Sequence, residues 1–140
     1  MLQITRQSEY AVRTLLELAQ IPFGRRMSAK IISEKQEISE VFLKKTIQQL
    51  DRAGLVATHR GKQGGVQLCV PADEITIADV IGAIEGEVAI NPCLSEKNHC
   101  KNEEFCPVHQ ILERAQDALL AELKRETFAD IVKGKVKVEE

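Results

Sequence analysis

Three of the four cysteines share one short stretch with a histidine, in the pattern Cys93-x6-Cys100-x5-Cys106-x2-His109. Thiolates and imidazole are the donors that zinc and iron–sulphur centres use. The start of the chain, Met1 to Arg6, has no apolar stretch behind a basic opening and no small-residue cleavage site, so the protein is expected in the cytoplasm. Stable disulfides are disfavoured there, and an odd number of neighbouring thiols leaves one unpaired, which makes metal ligation the expected chemistry. Cys106 stands just before Pro107, at the start of an expected helix whose unpaired N–H groups favour a negatively charged sulphur. His109, three residues on, shares that first turn and can converge with Cys106 on one centre. Three thiolates and one imidazole suit either a tetrahedral zinc or a two-iron two-sulphur cluster, and ligand type leaves both open. A third use is oxidant sensing through a disulfide among Cys93, Cys100 and Cys106. His99 reads as an exposed loop residue and Cys69 as a small apolar strand residue.

The elements that must position this cluster follow from periodicity. Ala11, Val12, Leu15, Leu16 and Ala19 mark one face of a first helix, from Thr5 to about Ala19. Ser28 caps a short second helix through Lys35, and a tight connection over Gln36 to Ile38 leads to Ser39, the expected cap of a third. Leu43, Ile47 and Leu50 give that third helix its apolar face, and Gly54 suits a left-handed stop. The period then changes to that of two short strands, Leu55 to Arg60 and Val66 to Val70, around the glycine-rich basic tip Gly61-Lys62-Gln63-Gly64-Gly65. Thr76 with Asp79 forms a capping box before the stripe Ile77, Val80, Ile81, Ile84, which Gly86 ends. Pro107 opens a long helix carrying Val108, Ile111, Leu112, Ala115, Leu119 and Leu123, Thr127 with Asp130 caps a last short one, and the charged tail from Lys133 is expected to fray.

Charge divides the chain. Residues 1–70 hold 11 Lys or Arg against 6 Asp or Glu, and residues 71–140 hold 8 against 15, so the net charge of −2 conceals a basic N-terminal half. Helix, short helix, turn, third helix and hairpin is the order of a winged helix-turn-helix, which places the third helix in the DNA major groove. Ser39, Glu40, Lys44 and Lys45 lie at the end that meets base edges, with Lys44 the foremost base reader. At the hairpin tip Arg60 and Lys62 can reach phosphates or the minor groove, while Gly61, Gly64 and Gly65 permit positive φ and close backbone approach.

The remaining composition narrows the choice of function. A chain of 140 residues, 44% hydrophobic, 4% aromatic, 29% charged and without Trp, is sized for one small, mainly α-helical core. Its longest apolar run, Ala118 to Ala121, is far below the roughly 18 residues of a membrane span. It has no cofactor-cradling glycine loop, no paired carboxylates at a catalytic spacing and too little chain for a substrate pocket, so neither an enzyme nor a small-molecule substrate is expected.

Taken together the motifs resemble the Rrf-two family of bacterial transcriptional regulators. The resemblance rests on Thr5-x4-Tyr10-Ala11, Ile38-Ser39-x2-Phe42-Leu43, Gly54-Leu55-Val56 leading into Arg60-Gly61-x2-Gly64-Gly65, Ile77-x2-Val80-Ile81-x2-Ile84-Glu85 and the three cysteines. It implies a winged helix-turn-helix over residues 1–72, a connecting helix within 73–91, a cluster-binding loop over 92–106 and a dimerisation helix with tail over 107–140. It implies a homodimer joined by the long C-terminal helix, here about Pro107 to Glu126, on a partly palindromic double-stranded operator. Similar members hold a two-iron two-sulphur cluster, which maps onto Cys93, Cys100, Cys106 and His109. In others a carboxylate from the first helix of the partner subunit is a ligand, and its counterpart Glu9 is a reserve. The alternatives are a cofactor-free regulator controlled by thiols or a protein partner, and a zinc-stabilised regulator. This sequence departs from the best-known cluster-binding pattern of the family in its first cysteine gap, six residues and not five, in Val66, where an aromatic is common, and in Lys44, where acidic or other polar residues occur.

Overall fold

The computed structural model describes residues 2–96 and 104–134. Cys100 and His99 lie outside the described residues, as does the tail beyond Gly134. The elements run α1 Arg6–Ala19, α2 Ala29–Gln36, α3 Glu40–Arg52, β1 Val56–His59, β2 Gly65–Leu68, α4 Ile77–Glu85, α5 Pro107–Leu123 and α6 Phe128–Val132, with 3-10 turns at Ala72–Glu74 and Pro92–Leu94.

Side-chain caps set the helix starts. Thr5, Ser28, Ser39, Thr76 and Thr127 each accept a backbone N–H from three residues on, and Thr76 and Thr127 do so within full capping boxes. Glu37 at φ 54 makes the turn between α2 and α3. The Ser33 hydroxyl fixes that turn by donating to the Ile38 carbonyl at 2.5 Å. Gly54, at φ +80, releases the chain from α3 into the hairpin.

One core joins these elements. Leu15 and Leu18 of α1, Ile32 of α2, Leu43, Ile47 and Leu50 of α3, Val56, Val66 and Leu68 of the hairpin and Val80 of α4 are all buried in it. Two polar links orient the helices: the Ser8 hydroxyl donates to Glu85 Oε2 at 2.7 Å, tying α1 to α4, and Gln36 Nε2 donates to buried Glu17 Oε1 at 2.6 Å, tying α2 to α1. Strands β1 and β2 pair antiparallel with Val56 opposite Leu68 and His59 opposite Gly65. Met27 forms an isolated antiparallel bridge to β2, exchanging both backbone hydrogen bonds with Val66 at 2.9 and 2.8 Å.

Helix α5 leaves this core and α6 returns to it. The long helix ends at Leu123 and not near Glu126, because the chain must straighten for Thr127 to bridge Thr76 and for Phe128 N–H to reach the Ile75 carbonyl at 2.9 Å. Phe128 is fully buried among the core residues. Cys69 corrects the sequence reading: it lies just past β2 and is exposed, since the alternation that buries Val66 and Leu68 turns it outward. No helix among the described residues is long and apolar enough to cross a membrane.

Phe128→Ala is expected to lower stability by about 3–5 kcal/mol, the usual loss for emptying a buried aromatic site. Urea unfolding checks it; a midpoint unchanged from wild type would show that α6 docks without anchoring the core.

Candidate functional site

Two surfaces gather the residues that the sequence singled out. The first lies where the cysteine-bearing loop meets α5. Helix α4 stops at Gly86, and the chain then closes on itself: Glu87 accepts from the Ser95 hydroxyl at 3.1 Å and from the Glu96 N–H at 2.9 Å. This places Cys93 in the Pro92–Leu94 turn, where Asn91 Nδ2 donates to its sulphur at 3.1 Å. Across the junction, His109 Nδ1 stands 3.4 Å from Cys93 Sγ, and its Nε2 lies 3.4 Å from Glu113 Oε2 one turn further along α5. His109 is 5% exposed and is the one buried side chain of α5. A second tie runs from Ile90 N–H to Gln116 Oε1 at 3.0 Å, so the loop is fastened to α5 at two heights.

Cys106 occupies the N-cap of α5 with Pro107 at the first helical position, and its side chain makes no capping bond. It is half-buried, as is Cys93. Among the described residues no three His, Cys, Asp or Glu side chains are gathered closely enough to hold one metal ion. The structure thus brings Cys93 to His109, sets Cys106 at the head of the same helix, and leaves Cys100 outside the described residues. Glu9, the reserve ligand, is on the exposed face of α1 in an ion pair with Arg13 at 2.6 Å. Asn91, which donates to Cys93, and Glu113, beside His109, had no signal of their own in the sequence. Glu113 was discoverable as the i+4 neighbour of a candidate ligand on a helix.

The second surface is an open cleft of about 620 Å3 between α3 and the hairpin. Lys44 and Gln48 line one wall and Thr58 to Lys62 the other, with Gly64 and Gly65 at the tip and Ser28 at the edge. Lys44, Arg60 and Lys62 give it three cations, and none of its lining residues is acidic. Phosphate-bearing ligands fit such a cleft. Lys45 faces the other way, its Nζ 5.9 Å over the Phe42 ring, beside a hollow formed with Arg6, Gln7 and Tyr10. Ser39 and Glu40 both serve the start of α3. Ser39 caps the Phe42 N–H, and Glu40 sets its carboxylate in the first turn, against the positive end of the helix dipole.

The tip glycines divide by cause. Gly61 at φ +97 and Gly65 at φ +147 need the left-handed freedom expected of them, but Gly64 has no such φ. Its constraint is close approach within the hairpin: a Cβ there would lie 2.4 Å from the His59 carbonyl oxygen and 2.8 Å from that of Gly61. Arg26, missed in the sequence, braces the same tip, donating from Nη1 to the Gln63 carbonyl at 3.0 Å and from Nε to Gln67 Oε1 at 3.3 Å. The signal available was the Arg25-Arg26 pair just before the Ser28 cap.

With this geometry in view, the comparisons with known proteins are decisive about ancestry. A family model described as Rrf2, iron-dependent transcriptional regulator, matches residues 4–134. The chain belongs to the Rrf2 (Rrf-two) family. Among solved structures it is similar to CymR of B. subtilis, described as the global cysteine regulator, at 29% identity over 96% of this chain and 98% of that one, with a TM-score of 0.76. It is also similar to the oxidised form of Staphylococcus aureus CymR, at 28% identity over 99% and 100% of the two chains and a TM-score of 0.73. The third similar structure is T. potens IscR, at 28% identity over 99% and 93% and a TM-score of 0.75. The winged-helix architecture read from the sequence is therefore that of this family, whose members are DNA-binding regulators and not enzymes.

Gly64→Ala is expected to cost about 1–3 kcal/mol by forcing the tip backbone apart, and to speed amide exchange at Met27 and Val66. Hydrogen exchange reads this directly; unchanged protection of both amides would mean that the tip accommodates a side chain.

Proposed function

We propose that the protein is a homodimeric, cytoplasmic transcriptional regulator whose hold on a partly palindromic operator is governed by an iron–sulphur cluster, of the two-iron two-sulphur type, on Cys93, Cys100, Cys106 and His109. The observation that carries this reading is the approach of Cys93 Sγ to His109 Nδ1 with Glu113 beside the opposite ring nitrogen. A carboxylate behind a histidine is the usual second support of a metal-bound imidazole, since it favours the proton on the far nitrogen and leaves the near lone pair for the metal. The residues fit the group in donor type, and two of the donors already converge from different elements. Such a cluster supplies a change of charge and of ligand number when it is oxidised or lost.

The chain's own residues make that change count. Cys93 belongs to the loop after α4, while Cys106 and His109 belong to the head of α5, so ligands drawn together fix loop and helix as one unit. Glu9 is kept as a reserve ligand for the partner subunit. The exposed stripe Val108, Ile111, Ala115, Leu119 on α5, at 60%, 56% and 42% exposure for its three large members, supports pairing of this helix between two copies. An apolar hollow of about 420 Å3, lined by Leu2, Ile4, Ile81, Leu119 and Leu123 among others, runs beside it. In this reading Ser39, Glu40, Lys44 and Lys45 present the reading helix, and Arg60, Gly61, Lys62, Gly64 and Gly65 present the wing to the DNA backbone.

A second reading keeps DNA binding and removes the cofactor, making the protein a regulator controlled by thiols or by a protein partner. The likeness to the two CymR structures favours it.

Anaerobically isolated protein is expected to be coloured and to contain iron and acid-labile sulphide, both lowered by Cys93→Ala and His109→Ala. A colourless protein, with stoichiometric zinc or with no metal, would reject the cluster in favour of the alternatives. On DNA of its own promoter, Lys44→Ala should alter sequence preference, whereas Lys62→Ala should weaken binding evenly and reduce the salt slope by about one.

A further inference from the structure

The outward stripe of α3 runs Val41, Lys44, Gln48, Arg52, the i, i+3, i+7, i+11 positions of one face, and all four side chains are exposed. Three of them are polar or basic. The leading one is apolar, 65% exposed and β-branched, so its two methyl groups are held close to a single rotamer on the helix. A solitary exposed valine on ordinary surface calls for no explanation. Val41 is not on ordinary surface: one and two turns along the same face, Lys44 and Gln48 line the basic cleft. Its neighbours have other tasks, because Ser39 caps the helix, Glu40 meets the dipole, and Phe42, though 57% exposed, lies beneath Lys45 at the hollow shared with α1, away from the cleft. At the leading turn of this face, the side chain offered to a ligand is therefore made of carbon.

The major groove presents one feature that is recognised by carbon and not by hydrogen bonding, the C5 methyl group of thymine. We infer that Val41 is a specificity-determining residue that packs against a thymine methyl group in the operator, next to the base pairs met by Lys44. The inference rests on α3 being the reading helix and adds an apolar contact to that helix's polar ones.

The test uses the full-length protein to enrich duplexes from a random library, after which each thymine of the enriched site is replaced in turn by deoxyuridine. That exchange removes the methyl group and leaves the pairing edges intact. Wild type is expected to lose about fourfold in affinity at one or more positions, the worth of burying one methyl group. Val41→Ser should bind the thymine and uracil forms of that position equally. Lys44→Ala should keep the methyl response while binding both forms less tightly, and circular dichroism should show both variants folded, as suits exposed side chains. Indifference of wild type to every exchange, or a full methyl response in Val41→Ser, would overturn the inference while leaving the reading helix in place. Failure to enrich any sequence would overturn the assignment of α3 and this inference together.

Discussion

Helix α5 has seventeen residues and a single buried side chain, His109. That constraint organises the rest of the molecule. A helix about 25 Å long that turns Val108, Ile111 and Leu119 outward is held only in part by its own domain, and it is fastened at points. At its head His109 meets Cys93, near its middle Gln116 takes the Ile90 N–H, and just beyond its end Phe128 plugs into the core. Two of these three fastenings belong to the cysteine-bearing loop. Whatever alters Cys93 and His109 therefore acts on one end of a rod whose other end is fixed in the DNA-binding module.

Between that rod and the basic cleft the structure offers a short physical route. The loop follows directly from α4, whose Glu85 accepts from Ser8 of α1, and α1 packs against α3. The cleft itself is rigidly made: α3 is capped and its inner face buried, while the wing is pinned to the segment before α2 by the Met27 and Val66 exchange and by Arg26. On this account regulation shifts the two reading modules of a dimer relative to one another as rigid bodies and leaves each module intact. Such control requires the two ligand states to differ in DNA affinity, since a ligand biases only equilibria whose states it distinguishes.

The sequence was most legible where local chemistry decides structure. Caps such as Ser28, Ser39 and Thr76, the stop at Gly54 and the change of period at Leu55 each act within a few residues, and the helices and hairpin formed accordingly. Long-range packing was less visible. Nothing local announces that Phe128 crosses back to Ile75, so the end of α5 was read three residues too far; nothing local bridges Met27 to the wing. Cys69 misled because a strand's alternation tells which residues share a face, and not how far the strand continues. Gly64 lacks the positive φ expected of the tip glycines, and its constraint comes instead from the His59 and Gly61 carbonyls, which no local pattern places beside it. At the cysteine site the pattern of ligand types could be read directly, whereas the supports, Asn91 and Glu113, depend on where the loop lies.

The central claim is that the state of the Cys93 and His109 junction sets the grip of α3 on DNA. It is tested most directly by measuring affinity for the protein's own promoter duplex, at one fixed ionic strength, for anaerobically isolated protein before and after chelation of its metal, with Cys93→Ala alongside. The account predicts that chelation changes the affinity by five-fold or more, the scale of an ordinary coupling energy, and that Cys93→Ala matches the chelated form and no longer responds. Equal affinity for all three would contradict it.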